Sequence, residues 1–313
     1  MTITASPSTK APTPAAGGRV ATTAITAFAP AVWGTTYVVT TELLPAGHPL
    51  FAGLMRALPA GLLALAITRQ LPHGIWWFRA LVLGALNIGA FFPLLFLAAE
   101  RLPGGVAATL GATQPIIVAF LAVVILGERL SGWRLGWGLV GVAGVGLVVL
   151  GPNAALDVTG IAAGLAGAAA MGLGVTLTKR WGRPEGVRPM AFAGWLLTAG
   201  GLVLLIPVSL IEGIPDHIDA QAVGGYVWLG LIGGLLAYTL WFAGLRVLPV
   251  TATALLGLLS PLVAAVAGVV VLGQTLTMPQ VAGFALALAA LVAGQLTPQA
   301  LKDAVKVAPR QAE

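Results

Sequence analysis

Cysteine is absent from all 313 residues, which excludes a disulfide framework, a thiolate nucleophile and a cysteine-based zinc cluster, and leaves the redox compartment unmarked. Charge is also scarce: 8% of residues are Asp, Glu, Lys or Arg, against about 25% in ordinary globular domains. With 58% hydrophobic residues and a mean hydropathy of +0.97, the composition is that of a chain that lives in a bilayer. No acidic residue falls inside an apolar stretch, because Glu42, Glu100, Glu128 and Glu212 lie at stretch ends, and His48, His73 and His217 lie in loops. A proton relay normally uses a buried carboxylate or histidine, so facilitated diffusion or exchange is expected rather than proton antiport. The same scarcity excludes the Ser–His or paired-Asp machinery of an intramembrane protease, and no phosphate-binding loop is present to couple ATP. No catalytic residue, metal site or cofactor is expected.

What is present is apolar sequence in spanning lengths. Stretches of about 18 to 23 residues predict ten transmembrane helices near 20–40, 49–68, 76–98, 104–126, 133–151, 159–178, 190–211, 223–245, 251–272 and 279–296. Residues 1–19, rich in Ser, Thr, Pro and Ala, lack the apolar core of a cleavable signal and read as a disordered cytoplasmic tail; residues 297–313 form a second tail. With the N-terminus inside, 14 of the 16 basic residues fall on the cytoplasmic side. Arg101 alone is outside, and Arg56 lies within the second span. The net charge of +6 is therefore an orientation signal rather than a nucleic-acid footprint, and both termini are expected in the cytoplasm.

The segment LPGGVAATLGATQPIIVAFLAVVILGERLS from Leu102 returns as LPVTATALLGLLSPLVAAVAGVVVLGQTLT from Leu248, an offset of 146. Identical pairs include the backbone-shaping Pro115 with Pro261 and Gly127 with Gly273. Spans one to five (20–151) and six to ten (159–296) thus form two repeats joined around Pro152 to Asp157. Five is odd, so the second repeat enters from the opposite side. The expected fold is an all-α integral membrane protein, ten transmembrane helices as a 5+5 inverted repeat.

These residues resemble the ten-helix EamA-type exporters of the drug/metabolite transporter superfamily. The resemblance rests on Trp33, Gly34, Thr35 and Thr36, on ERLPGG at Glu100 to Gly105, on Gln114 and Pro115, and on LGERLS at Leu126 to Ser131. Their counterparts are Ser260 with Pro261 and LGQTLT at Leu272 to Thr277. Gln274 departs from the pattern, standing where Glu128 stands in the first repeat. Within the family the chain looks most like the YddG-type exporters of aromatic amino acids. The resemblance implies export across the inner membrane, with spans one to four and six to nine around a cavity and five and ten at its side.

Intramembrane polar groups should face protein or a cavity, because an Arg on lipid costs about 2.5 to 3.5 kcal/mol at mid-span. Arg56, seven residues into its span and about 10 Å deep at 1.5 Å per residue, either attracts a substrate carboxylate or else snorkels outward or pairs with a carbonyl. Asn87 and Gln114 fall near mid-span, where they either hydrogen-bond a polar solute or tie helices together. Trp33 with Tyr37, Phe91 with Phe92, and Tyr238 with Trp241 offer an aromatic face to a solute or pack as core. Ser260, the second-repeat counterpart of Gln114, is expected beside Asn87, Gln114 and Tyr238 as a hydrogen-bonding point for the substrate. Trp76, Trp77, Trp133, Trp137 and Trp181 read as interfacial belt residues. Gly111 with Pro115, and Gly257 with Pro261, mark matched weak points that act as hinges or as fixed kinks.

Together these features predict a secondary transporter exporting amino acids, aromatic or other neutral ones, or similar small metabolites by alternating access. The rivals are a carrier of anionic metabolites such as nucleotide sugars, and a membrane enzyme or scaffold. Expected partners are a small-molecule substrate and the lipid bilayer, with no nucleic acid, the chain being a monomer or homodimer.

Overall fold

In the bilayer every backbone N–H and C=O must be satisfied within the chain, which leaves helices or closed barrels as the spanning structures. The computed structural model describes residues 16–101, 110–149, 157–272 and 277–296, and among them every regular element is a helix and none is a strand. In chain order these are α1 (Ala16–Gly34), α2 (Thr36–Leu43), α3 (Pro49–Thr68), α4 (Trp76–Gly84), α5 (Phe91–Arg101), α6 (Gln114–Leu126) and α7 (Gly132–Val149). There follow α8 (Val158–Trp181), α9 (Pro189–Pro207), α10 (Ala220–Val227), α11 (Ala237–Val247), α12 (Val250–Leu256), α13 (Leu259–Leu272) and α14 (Met278–Gln295). Three π-helical segments are inserted: Ala85–Ala90 between α4 and α5, Val208–Glu212 after α9, and Trp228–Leu236 between α10 and α11. Among the described residues seven helical stretches are long and apolar enough to cross a membrane: Pro49–Thr68, Trp76–Leu95, Val158–Trp181, Pro189–Glu212, Ala220–Val247, Val250–Val271 and Met278–Gln295. Both tails beyond Ala16 and Leu296, the Pro152 linker and much of the ERLPGG and LGQTLT motifs lie outside the described residues.

Helix ends follow local chemistry. Asp157 and Asp219 accept backbone N–H groups three residues on, from Gly160 at 2.7 Å and Ala222 at 2.8 Å, and so cap α8 and α10. Gly127 ends α6 in the left-handed conformation at φ 66°, which a residue without a Cβ adopts freely.

The two repeats carry matched irregularities. The offset of 146 sends the π segment Ala85–Ala90 onto residues 231–236, inside the π segment Trp228–Leu236. The helix before α6 breaks at residues 112–113, with Thr113 N–H donating to Leu110 O at 3.1 Å. The helix α12 breaks from α13 at residues 257–258, with Gly257 N–H donating to Ala254 O at 3.0 Å. Both breaks lie just ahead of the paired prolines, each of which lacks an N–H and crowds the carbonyl four residues back. That carbonyl belongs to Gly111 in one repeat and Gly257 in the other.

Close packing also reciprocates between repeats. A Cβ on Gly34 of α1 would fall 2.6 Å from Val263 of α13, and one on Gly172 of α8 would fall 3.3 Å from Ile117 of α6. Ile117 and Val263 are partners at the 146 offset. An extended antiparallel contact joins α3 and α9, where Gly61 meets the Thr198 backbone, Gly194 meets Ala64 and Gly201 meets Leu58. It is fastened at both ends. The Glu212 carboxylate accepts from the backbone N–H of Leu50 at 2.8 Å and Phe51 at 2.6 Å, and the Gln70 side-chain oxygen accepts from the Arg188 backbone N–H at 3.0 Å. At the far end of α8, the Lys179 ammonium donates to the carbonyls of Leu245 at 2.9 Å, Arg246 at 3.0 Å and Leu248 at 2.7 Å, while Arg180 donates to Ile125 O at 3.2 Å. One dibasic pair thus caps the C-terminal ends of both α11 and α6.

Trp76 corrects the belt reading. It is buried against Phe192 and Trp195 at ring distances of 5.8 and 6.2 Å, because α4 turns that face onto α9; its neighbour Trp77 is exposed. Trp133 is half-buried and donates to Ala293 O at 2.9 Å, so it fastens α7 to α14.

Candidate functional site

The centre of the molecule is built around one backbone oxygen. Gly233, in the π segment before α11, accepts from the Trp33 indole N–H at 2.9 Å and from the Arg56 guanidinium at 3.3 Å. Trp33 reaches it from the C-terminal turn of α1. There the helix tightens at Thr35, whose N–H donates to Val32 O at 3.0 Å and whose hydroxyl accepts from the Trp228 indole at 2.9 Å. The Trp33 ring lies 4.9 Å from Tyr238 and 5.2 Å from Trp241, which share a face of α11 at i and i+3. Tyr238 and Trp241 are buried, and Tyr238 packs on Phe242 at 5.6 Å.

Arg56 is 4% exposed, so it does not snorkel, and its bond to the Gly233 oxygen is the carbonyl pairing that the sequence left open beside substrate attraction. Its guanidinium turns inward, donates to the Thr36 hydroxyl at 3.3 Å and lies over the Phe92 ring at 4.9 Å. A guanidinium stacked on an aromatic face gains from the ring's quadrupole in a desolvated place. Phe92 and Tyr238 are equivalent positions of the two repeats, and both are buried.

Asn87 is fully buried in the first π segment. Its amide nitrogen donates to Leu83 O at 2.8 Å, and its Oδ1 finds no partner among the described residues. It faces α8, where a Cβ on Gly174 would fall 2.5 Å from that nitrogen. Gln114 stands at the start of α6 rather than in mid-helix, because the break at residues 112–113 precedes it. Its amide nitrogen is buried without a partner among the described residues, and its Oε1 lies 4.0 Å from where Gly257 would carry a Cβ. The Trp241 indole N–H is a third buried polar atom without a partner there.

The structure thus brings together Trp33, Arg56, Tyr238 and Trp241. Phe91 turns away from them: its ring touches Phe92 at 5.8 Å and lies against Gly167 of α8. The Tyr37 side chain lies outside the described residues, and the break at Thr35 removes the unbroken helix on which its pairing with Trp33 was predicted. Ser260 sits at the start of α13, its backbone oxygen against Gly34. Sequence reasoning missed Gly233 and Thr36 as parts of the centre. The first was visible as the position that pairs with Asn87 at the 146 offset, the second within the WGTT run. In the loop beyond α8, burial and then the neighbouring charge of Arg246 lower the Arg183 guanidinium from its ordinary pKa.

Seven apolar spanning stretches with buried polar groups at their centre define a multi-pass membrane protein. The EamA-like transporter family model matches residues 21–150 and again 158–293, so the chain belongs to the EamA-like transporter family. It is 44% identical over 265 residues to Protein PecM of Dickeya dadantii, covering 85% of this chain and 89% of PecM. It is 30% identical to a WAT1-related chloroplastic protein of Arabidopsis thaliana, covering 83% of this chain and 66% of that protein. A probable terminal-alkyne amino-acid exporter of Streptantibioticus cattleyicolor shares 28% identity, covering 67% of this chain and 70% of its own length. A crystal structure at 18% identity superposes with a TM-score of 0.75, covering 88% of this chain and 98% of the other, which speaks to the fold alone.

Proposed function

We propose that the chain is a secondary transporter of the inner membrane with ten spans in a 5+5 inverted repeat and both termini in the cytoplasm. It exports neutral amino acids, aromatic ones among them, or similar small metabolites by alternating access, as facilitated diffusion or exchange. The observation that carries this reading is the set of buried polar atoms on Asn87, Gln114 and Trp241 that lack a partner among the described residues, together with the buried Arg56. Desolvating such groups costs about 1–3 kcal/mol each when no partner is supplied, so a solute that satisfies them is bound selectively. Trp241 N–H, the Gln114 amide and Arg56 are donors suited to a carboxylate, and Asn87 Oδ1 is an acceptor suited to an ammonium group. The rings of Trp33, Tyr238 and Phe92 accommodate an apolar side chain. The distant amino-acid exporter among the relatives supports the same class. Gly111 with Pro115 and Gly257 with Pro261 serve as the hinges, since both repeats break at these points.

The test is counterflow in proteoliposomes with labelled amino acids and nucleotide sugars. Saturable amino-acid exchange is expected. A preference for the nucleotide sugars favours the anionic-metabolite carrier, and absence of saturable flux for every solute refutes transport.

A further inference from the structure

The repeats diverge at one position in a way that has a steric consequence. The first π segment carries Asn87, and the equivalent place in the second carries Gly233. At Asn87 the amide fills the space against Gly174 of α8. At Gly233 that space is empty of side chain and holds the Arg56 guanidinium: a Cβ built there would lie 3.5 Å from one terminal nitrogen and 3.8 Å from both Cζ and Nε. A methyl group fits at that distance; a longer side chain does not. The carbonyl of Gly233 also takes two side-chain donors, Arg56 and Trp33.

We propose that Gly233 is a specificity-determining positioning residue: by lacking a side chain it seats Arg56 and Trp33 at the centre and so gives the site its preference for solutes bearing a carboxylate. This rests on the transport reading above for the identity of the solute, whereas the seating itself does not. The asymmetry also orients a zwitterion. Gly233 of the second repeat seats the cation, the first repeat's Arg56, and Asn87 presents a neutral acceptor.

The experiment compares Gly233→Asn, which copies the first repeat, with Gly233→Ala, which fits the available space. In proteoliposomes containing the full chain, counterflow of an aromatic amino acid and of its carboxamide is measured for each. Gly233→Asn is expected to raise KM for the amino acid by roughly tenfold or more, the loss of a charged hydrogen bond, and to leave the KM of the carboxamide within about twofold. Gly233→Ala should stay near the wild type for both. Equal effects on both solutes, or none, overturn the proposal while leaving transport intact.

Thermal unfolding of the purified protein supplies a readout free of substrate. Gly233→Asn should lower Tm by roughly 5 °C, and the added Arg56→Ala should recover most of that loss by vacating the space. Additive losses overturn the seating. If the wild type exchanges neither solute, the functional reading fails and the solute preference with it, and this cycle still decides whether Gly233 seats the guanidinium.

Discussion

Asn87 and Gly174 fit each other without slack: the asparagine amide lies where a glycine Cβ would come within 2.5 Å of its nitrogen, 2.6 Å of its carbon and 2.7 Å of its oxygen. A Cβ at residue 174 therefore displaces the amide from Leu83. Gly174→Ala is expected to destabilise the protein by about 1–3 kcal/mol, the range for overpacking, and Asn87→Ala added to it should restore stability. Transport distinguishes site from helix tie: the double variant, though stable, should exchange amino acids at least tenfold more weakly than the wild type. Recovery of flux along with stability would show that Asn87 only holds α4 and α8 together.

Arg56 lies between Phe92, Thr36 and Gly233 in an arrangement that uses the plane and fork of a guanidinium. Arg56→Lys keeps the charge and loses the plane and fork that reach Phe92, Thr36 and Gly233 together. Arg56→Met keeps the volume and loses the charge. Amino-acid KM should rise in the order wild type, Lys, Met, with the carboxamide almost indifferent. A Met variant that binds the amino acid as the wild type does would remove Arg56 from the site.

Much of this is legible in sequence, and the rest is hidden for identifiable reasons. Spanning lengths, the repeat and the paired prolines follow from hydropathy and self-similarity, and Tyr238 with Trp241 could be placed on one face from i, i+3 spacing. Arg56 was left open because depth in a span does not say which way a side chain turns; Thr36 of α2, Phe92 of α5 and the π segment decide that. Gln114 was predicted near mid-helix because periodicity continues through the break at residues 112–113, which only the backbone reveals. Trp76 was assigned to the interface by its position beside a loop, where the packing of α4 on α9 overrides the usual preference of Trp. Gly233 contributes a carbonyl and an empty volume, and neither is a property of its residue type.

Glu212 reaches the N-terminus of α3 with both carboxylate oxygens. An anion on two free N–H groups at a helix start gains from both hydrogen bonding and the helix dipole. Glu212→Ala should cost about 1–2 kcal/mol, a Tm fall of roughly 2–8 °C for a chain of this size. Glu212→Gln, which keeps one acceptor, should lie between. An unchanged Tm in Glu212→Ala would show that water replaces the carboxylate at no cost.

Lys179 satisfies three carbonyls at the α11–α12 corner from the end of α8. Lys179→Met retains the stem and removes all three donors, so the corner should loosen. Because the natural chain has no cysteine, a single cysteine introduced at Ala252 reports this directly through its labelling rate by a polar maleimide. Ala252 is buried here, and labelling should accelerate at least fivefold in the Lys179→Met background, about 1 kcal/mol of local opening. Equal labelling rates would mean that the ammonium does not hold the corner closed.

Pro115 and Pro261 test whether the matched breaks move. Replacing both with Ala supplies the missing N–H groups, which then face the carbonyls of Gly111 and Gly257, and removes the ring clash at each. Helical continuity across residues 112–113 and 257–258 becomes favourable, so the double variant should unfold at an equal or higher temperature than the wild type. Substrate affinity should stay within about twofold, since the prolines contribute no polar group to the centre. If the breaks flex during exchange, straightening them penalises the step between the two access states, and the maximal counterflow rate should fall about tenfold, a barrier increase near 1.4 kcal/mol. Each single variant should show a smaller loss, because the repeats must exchange shapes together for the site to change sides. Full flux in the stabilised double variant would assign both prolines to fixed shape and place the hinges elsewhere.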